Sequence, residues 1–177
     1  IKRLCTEKIL SMQASNFELD NASISMMAVQ KPTPPFWIGA NVDAGIKRAA
    51  RMADAWFINP HQRIDIIEQQ LVVYREELKA AGKPEPAVLP MMREVYVART
   101  HEEAMKFARP YMEGKYKSYH AEGQDKSMAK GDDNLNMSFD ELVENRFVVG
   151  SVDEVAEKLV DYKKRLGVNV IIPAFQW

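Results

Sequence analysis

Four short apolar runs, 35–40 (PFWIGA), 55–59 (AWFIN), 88–99 (VLPMMREVYVAR) and 168–175 (VNVIIPAF), alternate with stretches in which apolar residues recur every three or four positions. This alternation restricts the fold more than any other feature of the chain. The runs are rich in β-branched and aromatic side chains, as buried strands are. Between them, Ile64, Ile67, Leu71, Tyr74 and Leu78 define one apolar face of a helix over 63–81, which Gly82 and Pro84 end. Val152, Val155, Leu159, Tyr162 and Leu166 repeat that spacing up to Gly167, and the last run follows almost at once. Short strands joined through helices predict an α/β fold with a parallel sheet, because parallel strands need a crossover.

The helix starts are marked in the text. Thr100 with Glu103, Ser138 with Glu141 and Ser151 with Glu154 fit the capping box, in which a hydroxyl and a carboxylate satisfy free backbone amides reciprocally. Asn41 is a fourth cap candidate. Residues 1–31 read as the end of a helix followed by a small hairpin, with a turn at Asn21 between FELD and SISMM, and 32–118 as βα units. Residues 119–138 are polar, glycine-containing and without either period, a mobile loop of lid-like length, and 139–177 hold the last helices and the final strand.

Composition removes several classes of function. The 24 Lys and Arg against 25 Asp and Glu give a net charge of −1, with no basic excess for nucleic acid or an anionic membrane. Cys5 is the single cysteine, so no internal disulfide forms, which suits a reducing, cytoplasmic setting. No apolar run approaches the roughly 18 residues of a membrane span. His61, His101 and His120 stand far apart and read as solvated, and Asp132, Asp133 and Asn134 match a calcium loop in composition only, so no metal is expected.

The strongest local signal is Gly39, Ala40 and Asn41, where a strand ends and a helix opens. A glycine and a helix start offer backbone N–H groups and positive dipole to a phosphate, although any βα turn wants a glycine and a cap. Gly150 and Ser151 repeat the arrangement, but Asp153 and Glu154 already use the dipole there, which favours capping. Arg93 and Glu94 interrupt the longest strand on opposite faces, so one of them either faces the interior, where it needs a partner or ligand, or lies at a strand end exposed to water. Phe175, Gln176 and Trp177 follow the last strand, at the end where α/β proteins bind ligands. Arg93, Gln176 and Trp177 are pocket candidates, the aromatic pair and amide suiting a flat ring or simply closing the core.

VQKPTPPFWIGAN, IKRAARMADAWF, EVYVARTHEEA and RFVVGSVDEVAEKLVDYKKRLGVNVIIPAFQW, in this order, resemble the C-terminal half of the bacterial luciferase-like flavin- or deazaflavin-dependent oxidoreductases. The resemblance implies strands five to eight of a (β/α)8 barrel with a hairpin insertion. It implies FMN, or alternatively a deazaflavin coenzyme, with its phosphate at Gly39, Ala40 and Asn41. It places a lid over 121–137 and FQW near the pocket mouth. The parent activity it implies is oxidation of a small organic substrate by a flavin-dependent monooxygenase, or else deazaflavin hydride transfer. A barrel of this kind needs about 250 residues, both ends of the chain look cut, and the catalytic residues belong to the half not present. The isolated chain is therefore expected to be part of an enzyme, or a non-catalytic half-barrel that pairs with its missing half or with a second copy.

Overall fold

The computed structural model describes residues 1–175. The chain divides into two compact units, 1–36 and 37–177.

The first unit holds helix α1 (Lys2–Thr6) and an antiparallel hairpin of β1 (Leu10–Gln13) and β2 (Glu18–Ala22). The expected hairpin is present, but its turn is not at Asn21. The chain reverses over residues 14–17, where the Ala14 N–H donates to the Phe17 carbonyl at 2.9 Å. Asn21 lies inside β2 at φ 46°, where the pairing slips between Leu10 and Met12. Asparagine tolerates this left-handed backbone, so a residue that reads as a turn serves an irregular strand instead.

The second unit runs β3 (Trp37–Gly39), α2 (Asp43–Met52), β4 (Ala55–Phe57), α3 (Ile64–Ala80), β5 (Pro90–Ala98) and α4 (His101–Ala121). After a 3-10 turn at Gln124–Ser127 follow α5 (Phe139–Asn145), β6 (Val148–Ser151), α6 (Val152–Leu166) and β7 (Val170–Phe175). Every strand pairing in it is parallel: β3 with β4, and β5 with both β6 and β7. Ile58 bridges Met91, donating to the Pro90 carbonyl and accepting from the Met92 N–H, each at 3.0 Å, and so ties β4 to β5. Met91 also pairs with Ile171 of β7. Since a residue takes one neighbour on each side, β4 and β6 share one edge of β5, β4 at its beginning and β6 at its end. All four apolar runs form strands in the expected parallel sheet. The strand not anticipated is β6.

Two apolar clusters hold this unit. Ile46, Trp56, Ile67, Leu71, Met91, Val95, Val148 and Tyr162 pack on one side, each large side chain contributing roughly 2 kcal/mol by leaving water. Ala108, Met112, Tyr116, Phe139, Phe147 and Val149 form the other. Val148 belongs to the first and Val149 to the second, so β6 lies between α6 on one face and α4 on the other.

The polar stretch 119–138 begins inside α4 and buries Asp125, Met128, Asp132 and Leu135. The Asp132 carboxylate accepts from the Arg63 N–H at 3.1 Å and from Arg146. Arg63 opens α3 without a side-chain cap of its own, so Asp132 supplies that cap from far along the chain. Complete capping boxes form at Ser138 and Ser151. At Thr100 the hydroxyl accepts from the Glu103 N–H. Asn41 does not cap α2, whose N-cap is Val42. No helix of the described residues is long and apolar enough to cross a membrane.

Candidate functional site

The turn from β3 into α2 is held almost entirely by side chains from elsewhere. The Ala40 carbonyl accepts from the Trp56 indole at 3.0 Å, and the Asn41 carbonyl from the Gln70 amide at 2.8 Å. The Asn41 side chain accepts from Asn59 at 2.6 Å. A Cβ on Gly39 would lie 3.2 Å from the Asn59 Oδ1, so the small residue makes room for Asn59. A Cβ on Gly45 would lie 2.9 Å from the Ala40 Cβ, so a second glycine lets the first turn of α2 close against the loop.

These bonds fix the electrostatics of the turn. The Ala40 and Asn41 carbonyls are occupied by donors of the fold, and Val42 forms no side-chain cap. The first i to i−4 bond is from the Ile46 N–H to the Val42 carbonyl at 3.0 Å. The amides of Asp43, Ala44 and Gly45 precede that bond and have no helical acceptor. Asp43 is the acidic side chain of that turn. Val42, Asp43 and Ala44 form the rim of a cleft of 590 Å³, with Ile66, Gln70 and Val73 of α3 on one wall and Met128, Ala129 and Lys130 on another. Beside the turn, Trp37 and Phe57 stack with ring centroids 6.5 Å apart.

Gly150 and Ser151 differ. The Glu154 carboxylate folds back to accept from the Ser151 N–H at 2.7 Å and from its hydroxyl at 2.9 Å. A Cβ on Gly150 would meet that carboxylate at 2.7 Å. The glycine is explained by the cap.

Arg93 and Glu94 are both buried, because β5 is covered on both faces. Arg93 does not line the cleft. Its Nη1 donates to the Asn59 and Pro60 carbonyls at 3.1 and 2.8 Å, and desolvation lowers its pKa. Glu94 pairs with Lys115 of α4 at 2.8 Å. Gln176 and Trp177 lie outside the described residues. His101 and His120 are half exposed and pair with Glu154 and Asp125. His61, expected to be solvated, instead packs edge-on against Tyr116 and Tyr119. Burial, with the charges of Arg93, Lys115 and Arg146, lowers its pKa to about 4. Among the described residues no group of three or more His, Cys, Asp and Glu is placed to hold a metal.

Asn59, Gln70 and Lys130 shape this site without having stood out in the sequence. The position of Asn59 at the end of the AWFIN run is the one local sign for it, and nothing local marks the other two.

The helix start without a side-chain cap lies at the end of a parallel strand and beside a cleft, the place in an α/β fold where ligands are commonly bound. The luciferase-like monooxygenase family model matches residues 1–169, and the chain belongs to that family. Among solved structures, the monooxygenase RslO1 from Streptomyces bottropensis is 21% identical with a TM-score of 0.68, over 96% of this chain and 49% of its own. An F420-dependent secondary alcohol dehydrogenase bound to an F420–acetone adduct is 15% identical with a TM-score of 0.72, over 98% and 52%. The oxygenating constituent of 3,6-diketocamphane monooxygenase from Pseudomonas putida, in complex with FMN, is 15% identical with a TM-score of 0.64, over 99% and 53%. At these identities the likeness establishes the fold. The chain spans about half the length of these structures. No curated protein matches it.

Proposed function

We propose that the chain is part of a flavin-dependent oxidoreductase acting on a small organic substrate, in which Gly39, Ala40, Asn41 and the first turn of α2 hold the phosphate of FMN. The observation that carries this reading is the turn itself. Its carbonyls are bonded away to Trp56 and Gln70, while the first amides of α2 are left without a cap. A phosphate is the acceptor such a set of donors takes. Lys130 on the cleft wall adds positive charge, and Asp43 on the rim opposes it. When bound, the flavin supplies the redox chemistry. The protein's part is to fix the phosphate through backbone N–H groups and to keep water out.

The stretch 121–137 serves as the lid, a role supported by Met128, Ala129 and Lys130 forming one wall of the cleft. A (β/α)8 half-barrel is supported by the parallel order β3, β4, β5, β7 and by the half-length match. Among the described residues β3, β6 and β7 each have a strand partner on one side, and the outer edges of β3 and β7, at the two ends of that order, are left for the rest of a barrel or for a second copy. A deazaflavin coenzyme is the second reading, favoured by the F420-dependent dehydrogenase among the similar structures.

Titration with FMN, riboflavin and coenzyme F420, followed by fluorescence, tests the proposal. A phosphate site predicts FMN binding at least about tenfold tighter than riboflavin, a difference of about 1.4 kcal/mol. Equal affinities would remove the phosphate assignment. Tighter binding of F420 than of FMN would replace the flavin by the deazaflavin.

A further inference from the structure

Asp132 belongs to the largely exposed stretch 121–137, yet it is buried in an ion pair with Arg146, which is buried too. Taking two charges out of water is costly, so such a pair adds little net stability; its use is to fix which groups meet. Its partners show what it fixes. One Asp132 oxygen accepts from the Arg63 N–H that opens α3, at 3.1 Å, and the other accepts from Arg146, directly after α5. Arg63 in turn donates to the Gly131 carbonyl at 3.4 Å. Arg146 also donates to the His61 carbonyl at 2.8 Å and reaches Met137 Sδ at 3.5 Å.

Asp125, the other buried acid of the stretch, bonds differently. It pairs with His120 of α4 and accepts from the Leu135 N–H at 3.4 Å, which ties the stretch to the helix it leaves and to itself. The bonds that carry 131–137 across to α3 and to the end of α5 run through Arg63 and Arg146. Met128, Ala129 and Lys130, the part of the stretch that walls the cleft, come immediately before Gly131 and Asp132. A pin at Asp132 therefore sets where that wall stands. The same junction leads to the turn opposite: Arg146 holds the His61 carbonyl, Arg93 holds those of Asn59 and Pro60 beside it, and the Asn59 amide donates to Asn41 at 2.6 Å.

We infer that Asp132 is a positioning residue of the cleft, latching the 121–137 stretch to α3 and α5 through Arg63 and Arg146 and so holding Lys130 across from the first turn of α2. The ligand that Lys130 meets rests on the phosphate reading above; the latch rests on the bonds alone.

Asp132→Asn keeps an oxygen for the Arg63 N–H and removes the charge that holds Arg146. Trypsin should then cut after Lys126 and Lys130 at least about tenfold faster, because the local opening becomes easier. Cuts after the exposed Lys163 and Lys164 of α6 should keep the parent's rate. In FMN titrations Asp132→Asn and Lys130→Ala should each weaken binding about fivefold, and the double variant also about fivefold, because an unlatched wall has already withdrawn Lys130. Riboflavin, which has no phosphate, should bind all of them alike. Should Asp132→Asn not fold, Asp132→Asn combined with Arg146→Gln, which leaves no buried charge unpaired, takes its place in both measurements. Unchanged cleavage after Lys126 and Lys130, or equal acceleration after Lys163 and Lys164, would overturn the latch. FMN losses that multiply in the double variant would overturn its hold on Lys130. A parent that binds FMN no tighter than riboflavin removes the phosphate reading instead, and the cleavage pattern then decides the latch alone.

Discussion

The starts of α2 and α6 are built from the same parts and end in opposite states. Each follows a parallel strand that carries a glycine, and each has an acidic residue in its first turn. At α6 the chain completes its own cap, because the Ser151 hydroxyl and the Glu154 carboxylate satisfy the amides reciprocally. At α2 the one side chain long enough to cap, Asn41, is drawn away by Asn59, and the N-cap position falls to Val42. A glycine before a helix therefore does not identify an anion site. What separates the two is whether the fold has already consumed the amides.

The largest effect should come from Gly45→Ala. Alanine is otherwise the better helix residue, but its Cβ would stand 2.9 Å from that of Ala40. Relief requires moving α2 off the turn, an overpacking cost of about 2 kcal/mol. The variant should melt well below the parent and lose FMN affinity. Gly150→Ala, which collides with the Glu154 carboxylate, should destabilise the protein yet bind FMN normally. If both alanines affect flavin binding alike, the two helix starts are not different in function.

Ser151→Ala should cost about 1 kcal/mol, the usual worth of an N-cap, again without touching flavin binding. The backbone and hydroxyl bonds of Ser151 lower the Glu154 pKa below its ordinary value. The unfolded chain then binds a proton more readily than the folded one at acid pH, so the cap's contribution is present above the ordinary carboxylate value and fades as pH falls through the folded one. Melting curves of parent and Glu154→Ala should converge on acidification. A constant gap would show that the carboxylate acts by packing rather than by charge.

The α6 start was readable because all of its parts lie within five residues, from Gly150 to Glu154. The four strands were readable for the same reason, each being an uninterrupted apolar run. What escaped depends on distant partners. β6 is four residues, two of them Gly150 and Ser151, and becomes a strand through the Val95–Ala98 edge of β5. His61 follows a strand end that looks solvated and is covered by Tyr116 and Tyr119 from α4. Alternation along β5 required that Arg93 and Glu94 face opposite ways, but not that both faces be covered. The stretch 119–138 looks structureless by composition, yet Asp125 and Asp132 are buried as anchors, the latter at a helix start almost seventy residues earlier in the chain. At the α2 turn, Gly39, Ala40 and Asn41 were visible, while Asn59 and Gln70, which decide where the carbonyls point, were not.

A cap can be installed where the fold omits one. Val42→Ser places a hydroxyl at the N-cap of α2 and should stabilise the protein by about 0.5–1 kcal/mol. The same hydroxyl competes for the amides assigned to the phosphate, so FMN affinity should fall severalfold while riboflavin affinity stays level. This variant turns α2 into a copy of α6. A gain in stability with unchanged FMN binding would show that the phosphate is held elsewhere.

The smallest effect is expected from Asp43→Asn, and it runs in the opposite direction. Asp43 is exposed, on the rim of the cleft and in the first turn of α2. A carboxylate there stabilises the helix dipole by about 0.3–1 kcal/mol, and it repels any anion approaching the same amides. Removing the charge should lower the melting temperature slightly and tighten FMN binding by a few fold, with the gain shrinking as added salt screens the repulsion. Helix dipole and ligand compete for one set of donors, so a loss of stability must accompany the gain in affinity. Should both fall together, Asp43 would be a contributor to the site and the amides of α2 would not be its main donors.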